Sequence, residues 1–497
     1  MIERIHKIIL YMVVVLLPLF VTTLLLHFVV NSNILHYQPV WTDEVDYWLQ
    51  INSFKEVGFS NGFFSINELT SNSSFSHYGT HGPMFPILYG SIARIFGWFY
   101  YSGPLFNLLL VSLSLLIFLC VTRPDRKQTI LVILFLLFFY QLHLYIPTTM
   151  QESLNTSFAI LFSAFFIRLI IFHDKRLQNK IGVLLLITIA SLFRIIWIFT
   201  IFPIIYSFFN DQKPLSKKLI YSIIGGLLFS IFMVIIYNYW TSPYPSGFIF
   251  QITNGELNIH QLTLVELRLI LSNLKKLFGI NLPIIETEIY IRYLYLLVIF
   301  ILALSIKKNQ KTYISILYIL VSTLVITILI YDIGNFRILA PLLLFCLFSL
   351  PFASDQFTMK YVLISYLFIN LLTIGNFISN YQYFHINHFA AENNNSLIKQ
   401  KNILNEIKYT DSNNPWCNSL LTDQIFTRDL LNTPAGIGVN VLKDLKDDKL
   451  EIKSHYLLVT YDILAINGIV STCQTLGTYS DYIICERVND NCNYSKQ

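Results

Sequence analysis

Asp43 and Glu44 form an acidic pair in the stretch Val40-Trp41-Thr42-Asp43-Glu44-Val45-Asp46-Tyr47-Trp48, which begins ten residues after an apolar run ending at Val30. Adjacent carboxylates among aromatics at a membrane surface can accept a proton, bind a metal ion or orient a sugar hydroxyl. The plain alternative is a solvated loop that caps a following helix, because Thr and Asp are good helix starters. A second polar group follows at His77-Tyr78-Gly79-Thr80-His81-Gly82-Pro83. The i, i+4 spacing of His77 and His81 would suit zinc on a helix, but Gly79 and Gly82 argue against a regular helix there. His81 is therefore read as a polar group at a sharp turn.

Three further residues have the chemistry to hold an anion or a second proton. An arginine at membrane depth costs about 3 kcal/mol on insertion scales, so its presence implies a partner. Arg337 stands in Asp332-Ile333-Gly334-Asn335-Phe336-Arg337, ahead of Pro341. Its alternative is snorkelling at the interface. Arg194 ends Ser191-Leu192-Phe193-Arg194 and has no acidic neighbour in sequence. Its alternative is an ion pair inside the bundle. Glu152 opens an apolar segment, where the helix dipole alone favours a carboxylate.

The elements that must position these residues are membrane helices. Of 497 residues, 55% are hydrophobic, 15% aromatic and 13% charged. A soluble chain carries about twice that charged fraction. Long continuous apolar runs exclude a β-barrel. They lie at 8–30, 103–122, 128–146, 153–172, 181–196, 196–210, 219–240, 289–306, 312–331, 337–353 and 360–378, which gives eleven spans. The first is too long for a cleaved signal peptide and is read as a retained span. Lys and Arg cluster in alternate connections: Arg4 and Lys7, Arg123 to Lys127, Lys175 to Lys180, Lys213 to Lys218, and Lys307 to Lys311. Lys360 precedes the last span, and the intervening short connections carry none. That alternation places the N-terminus in the cytoplasm. Pro83 to Phe99 is apolar but short, and crossing there would invert every later cluster. It is expected to be a re-entrant or juxtamembrane helix on the outer face, so that residues 31–102 form one outer loop containing the acidic pair. A second outer loop, 241–292, holds Pro243, Pro245, Glu256, His260, Glu286 and Glu288, and is long enough to suggest function.

Residues 379–497 have another composition. They hold 10 Lys/Arg and 13 Asp/Glu, so the net +5 of the chain divides into about −3 here and +8 in the membrane part. The positive excess thus concerns topology and not nucleic acid. Helical spacing runs over 396–409, and 454–461 and 481–487 read as strands. An odd span count puts this small α/β domain outside the cell membrane. Cys417, Cys473, Cys485 and Cys492 suit one or two disulfides in an oxidising compartment. Cys120 and Cys346 read as packing residues. Sequon matches at Asn72, Asn394 and Asn493 are of the kind that an Asn-rich chain produces by chance.

The acidic pair, the turn His81-Gly82-Pro83 and the apolar helix after it, in that order, resemble the GT-C superfamily of membrane glycosyltransferases. The likeness is to bacterial transferases related to the protein O-mannosyltransferases and the lipid A aminoarabinose transferase. There an Asp-Glu or Asp-Asp pair in the first outer loop is followed by a His/Lys-Pro-Pro turn. Gly82 departs from that pattern. The resemblance covers the whole topology. It implies a bacterial inner or plasma membrane and a polyprenyl-phosphate sugar donor. It also implies inverting transfer to an acceptor hydroxyl on a lipid, glycan or protein. Asp43 would be the base, and Glu44 would orient the acceptor or a metal. His81, Glu152, Arg194 and Arg337 would line the substrate site. A divalent cation is left open as cofactor, and membrane lipids are partners. Two other readings compete. An O-antigen ligase or polymerase would carry its Arg and His in a late outer loop. A lipid or solute transporter would carry charges or broken helices at mid-membrane, and no internal repeat is visible. No Gly-rich loop suggests a nucleotide-sugar site.

Overall fold

Apolar runs with no internal polar partner can only satisfy their backbone groups as helices. In a computed structural model, described for residues 2–60, 77–79, 81–209, 214–241, 259–278, 289–306, 310–330, 336–353, 356–389, 404–410, 412, 414–422, 428–441, 452–462, 473–479, 482–488 and 492, they do so. In chain order α1 is Ile2–Leu25, α2 Thr42–Val57, α3 Met84–Phe96, α4 Ser102–Thr122, α5 Arg126–Leu137, α6 Tyr140–Tyr145, α7 Glu152–Phe166, α8 Leu177–Phe193, α9 Ile201–Phe208 and α10 Leu215–Trp240. Later helices are Ile259–Leu277, Ile289–Ser305, Gln310–Ile330, Ala340–Ala353 and Gln356–Ile386. Among the described residues six helical stretches are long and apolar enough to cross a membrane: Ile5–Val30, Ser102–Thr122, Glu152–Ile171, Leu215–Trp240, Thr312–Leu329 and Thr358–Ile386.

The other expected spans coincide with shorter apolar helices. One is broken: 128–146 divides into α5 and α6 at Phe138 and Phe139. His143 Nε2 lies 2.9 Å from the Leu136 carbonyl, so a side chain takes up one carbonyl at the break, and Tyr140 ties the start of α6 to the last helix by donating to the Asn370 carbonyl at 2.7 Å. The pair 181–196 and 196–210 separates at Arg194, whose backbone is extended between α8 and a short 3-10 turn, Ile195–Thr200.

The helix expected at 83–99 is α3, and it packs against α2, where Gly90 lets Phe54 and the Ile51 carbonyl come close. Tyr89 of α3 donates to Asn107 of α4, and Asn107 donates to the Thr148 carbonyl at 2.7 Å. α7 packs between α4 and Ala340–Ala353. The turn ahead of α7 is thereby fixed against both α2 and α4.

The C-terminal part is a five-stranded sheet of order β2-β1-β3-β5-β4. The strands are β1 Ser419–Thr422, β2 Gly438–Val441, β3 Tyr456–Thr460, β4 Cys473–Tyr479 and β5 Tyr482–Arg487. β1 runs parallel to β2 and β3, while β5 is antiparallel to β3 and β4. Both strands expected from sequence are present as β3 and β5. Of the helix expected over 396–409, Leu404 is helical, and the chain turns at 405–406 and runs on irregularly. There Lys408 exchanges backbone bonds with the Tyr456 hydroxyl, so docking to the sheet replaces helical pairing. The earlier part of that helix, the three sequons, and most of 241–292, including Pro243, Pro245, Glu256, Glu286 and Glu288, lie outside the described residues.

All four C-terminal cysteines pair: Cys417 with Cys492 across 75 residues, and Cys473 with Cys485 across 12. Loop-closure entropy assigns the longer bridge about 4 kcal/mol and the shorter about 3 kcal/mol. Reduction is therefore expected to expose 404–492 to proteolysis while the helical part stays folded. Limited proteolysis with and without reductant, read by mass spectrometry, checks this; equal resistance in both would contradict it.

Candidate active site

Asp43 and Glu44 are consecutive residues in the first turn of α2, where the helix N-terminus favours negative charge. Successive helical residues point about 100° apart, so the two carboxylates face different surroundings. Glu44 is 0% exposed. Its Oε1 accepts from the Tyr37 hydroxyl at 2.7 Å and from Thr149 N–H at 3.2 Å. Its Oε2 accepts from the N–H groups of Val40 and Trp41, both at 3.0 Å, and lies 2.7 Å from His388 Nε2. Burial pushes the Glu44 carboxyl up, but the charge and hydrogen bond of His388, with the bonds from Tyr37 and Trp41, hold it below the ordinary value overall. An expected contact of Glu44 with acceptor or metal has no open face here.

Asp43 points the other way, and 37% of its side chain is exposed. Its Oδ2 is 3.4 Å from Arg337 Nη2. Arg337 Nε lies 3.5 Å from Glu152 Oε1, which also accepts from Arg194 Nη2 at 2.8 Å. Asp43, Arg337, Glu152 and Arg194 thus form a series of alternating charges drawn from four separate segments. The elements explain this meeting. Glu152 is the first residue of α7, Arg194 sits in the break after α8, and Arg337 lies in the 3-10 turn Phe336–Ile338. Arg337 is paired on two sides and 23% exposed, so it is not a snorkelling side chain. Among the described residues, Glu152 Oε2 and Arg194 Nε have no hydrogen-bond partner, although both are buried. Buried polar atoms of this kind mark a place for water or a ligand group.

His81 joins the same cluster. Its ring meets that of Tyr47 edge-on at 5.5 Å, and its carbonyl accepts from Gln151 Nε2 at 3.5 Å. The ring is open to solvent yet surrounded by protein mass; that environment, with Arg194 and Arg337, holds the imidazole below its ordinary value against the pull of Asp43 and Glu152. Gly82 explains the departure from a His/Lys-Pro-Pro turn. Its φ is +88°, and a Cβ there would stand 2.4 Å from the Leu192 carbonyl oxygen and 2.9 Å from that of Phe193. Only glycine lets the His81 turn press against the end of α8, immediately before Arg194. Tyr78 adds a tie on the other side, donating its N–H to the Trp240 carbonyl at 3.1 Å.

Several participants carried no sequence signal. Tyr37, Thr149 and His388 surround Glu44. Tyr47 is 2% exposed, and burial first, then Asp43 and Glu152, raise its phenol well above the ordinary value. Asp46, buried and accepting from Gln50 Nε2 at 2.8 Å, has its carboxyl pushed up to about 8 by burial, opposed by the Gln50 bond and assisted by Asp43. No group of three or more His, Cys, Asp or Glu poised for a metal ion occurs among the described residues, and His77 and His81 do not form one.

No protein-family model matches the chain, and no curated protein matches it. Solved structures do match. ArnT from Cupriavidus metallidurans, bound to undecaprenyl phosphate, aligns over 98% of this chain and 99% of its own at 10% identity, with a TM-score of 0.50. The archaeal oligosaccharyltransferase AglB from Archaeoglobus fulgidus, in complex with an inhibitory peptide and a dolichol-phosphate, aligns over 92% of this chain and 70% of its own at 10% identity, also with a TM-score of 0.50.

The neutral state of Asp46 sets a pH dependence. Its folded value lies above the unfolded one near 4, so its contribution to stability is complete below pH 4 and is lost as pH rises through about 8. Asp46→Asn keeps the neutral shape. Its melting temperature is expected to match wild type at pH 4, to exceed it by a margin that grows between pH 4 and 8, and to keep that margin above pH 8; a constant difference across pH would contradict the assignment.

Both ArnT and AglB are GT-C membrane glycosyltransferases, and the chain has the GT-C fold.

Proposed function

We propose that this protein is an integral-membrane glycosyltransferase that moves a sugar from a polyprenyl-phosphate donor to an acceptor hydroxyl. The observation that carries the reading is the meeting of half-exposed Asp43 with Arg337, Glu152 and Arg194, in a fold shared with proteins solved with undecaprenyl phosphate and dolichol-phosphate. Transfer from a lipid phosphate needs a base for the acceptor and cations for the departing phosphate. Asp43 removes the acceptor proton, and the acceptor oxygen bonds the anomeric carbon. The bond from that carbon to the phosphate oxygen breaks, and its electron pair stays on the phosphate between Arg194 and Arg337. Attack opposite to the leaving phosphate inverts the anomeric centre.

The loose 3.4 Å contact between Asp43 and Arg337 fits this sequence of events. When a phosphate engages Arg337, the carboxylate is released to act as base. Glu152 holds both arginines at fixed spacing. We assign Glu44 to positioning instead of contact with substrate. A divalent cation would have to share Asp43 and Glu152 with Arg337, whose guanidinium already supplies positive charge there. The acceptor is a lipid, glycan or protein hydroxyl, and the membrane an inner or plasma membrane.

The test is transfer from a panel of radiolabelled polyprenyl-phosphate sugars in lipid-reconstituted protein. Asp43→Asn is expected to fold normally and lose about 10²- to 10⁴-fold in rate, the range for removing a general base. Chelator is expected to leave wild-type transfer unchanged. Full transfer by Asp43→Asn would remove the base, and no transfer by folded wild type with any donor would shift weight to a ligase or transporter.

A further inference from the structure

Resting on that reading of the site, we propose that His388 and Glu44 are a positioning pair, and that the chain beyond the last helix is a working part of the catalytic centre. Glu44 is bonded to two segments at once. Its neighbour Asp43 is the base, and Thr149, whose N–H it accepts at 3.2 Å, lies three residues before Glu152. The bonds from Val40 and Trp41 fix the start of α2, and Tyr37 bridges Glu44 to Thr149, with its hydroxyl 2.7 Å from one and 3.0 Å from the other. One carboxylate thus sets the distance between the segments that carry Asp43 and Glu152.

A carboxylate with no access to solvent needs a compensating charge. His388 meets that need. Its Nδ1 faces the Phe384 carbonyl at 2.7 Å and its Nε2 faces Glu44 Oε2 at 2.7 Å. Both ring nitrogens thus face oxygen atoms, one of the last helix and one of Glu44, and the ring ties the two together. Its faces and edges are closed by Tyr37, stacked at 5.5 Å, and by Trp41, edge-on at 4.6 Å. Both side chains of the pair are 0% exposed. Neither residue touches the reacting atoms, so the pair acts through Asp43 and Glu152.

Hydrogen exchange on the full chain in lipid nanodiscs tests the pair without any substrate. In His388→Asn, exchange is expected to rise roughly tenfold or more at the amides of Val40, Trp41 and Thr149 together, while the long helices and the sheet keep their protection. Glu44→Gln is the second variant, and it serves alone if His388→Asn does not fold. Unchanged protection at these amides would overturn the pairing. The second readout is transfer per molecule of polyprenyl phosphate bound. It is expected to fall on the order of 100-fold in His388→Asn, the effect of a misplaced base, and to fall no further when Asp43→Asn is also present. Losses that multiply, or a fall fully matched by lost binding, would overturn the positioning role. If folded wild type transfers no sugar, the functional reading falls by itself, and the exchange result still decides the pair.

Discussion

Four charged groups cannot sit at the end of an apolar helix bundle unless they compensate one another. Asp43, Arg337, Glu152 and Arg194 do so in series. The series dictates much of the surrounding architecture. It requires a helix to start at Glu152, a helix to stop before Arg194, and a tight turn at Arg337. Each of these is a place where a regular helix gives way, and each puts one charged side chain at a point that an unbroken helix would place elsewhere. The series is balanced within itself but loose at its Asp43 end, which is the end open to solvent.

Around this series lies a closed set of contacts. Glu44 joins the α2 start to the turn before α7. Asn107 joins that turn to α4 and, through Tyr89, to α3. Gly82 lets the His81 turn press on the end of α8. The C-terminal part reaches α2 and the end of the last helix, because Gly436 N–H donates to Ser53 Oγ at 3.1 Å and Arg428 donates to the Asn387 carbonyl next to His388. A site built from four distant segments needs such cross-ties. No single helix dipole or cap fixes the distance between residues that are more than a hundred positions apart.

Much of the helical layout was legible in the sequence, because apolar length and charge alternation are strong signals in a membrane chain. Arg194 and Arg337 were visible for the same reason: an arginine in an apolar segment must be compensated. The limits are equally physical. Asp43 and Glu44 look alike as letters, yet helical geometry turns them about 100° apart, one into solvent and one into a buried knot. His388 stands 344 residues from Glu44, and nothing in its local sequence shows the partner. The break at Phe138 and Phe139 is invisible because both residues are apolar, and the side chain that takes up the Leu136 carbonyl there is His143. The end of the helix expected over 396–409 was lost to the sheet, a tertiary contact that local spacing does not report.

The most direct test of the central claim is where a lipid phosphate sits. A cryo-electron-microscopy map of the full chain with polyprenyl phosphate should place phosphate oxygens between the guanidinium groups of Arg194 and Arg337, with the Asp43 carboxylate swung clear of Arg337. Phosphate density at another end of the bundle, with the four charges still paired as they are here, would contradict the account.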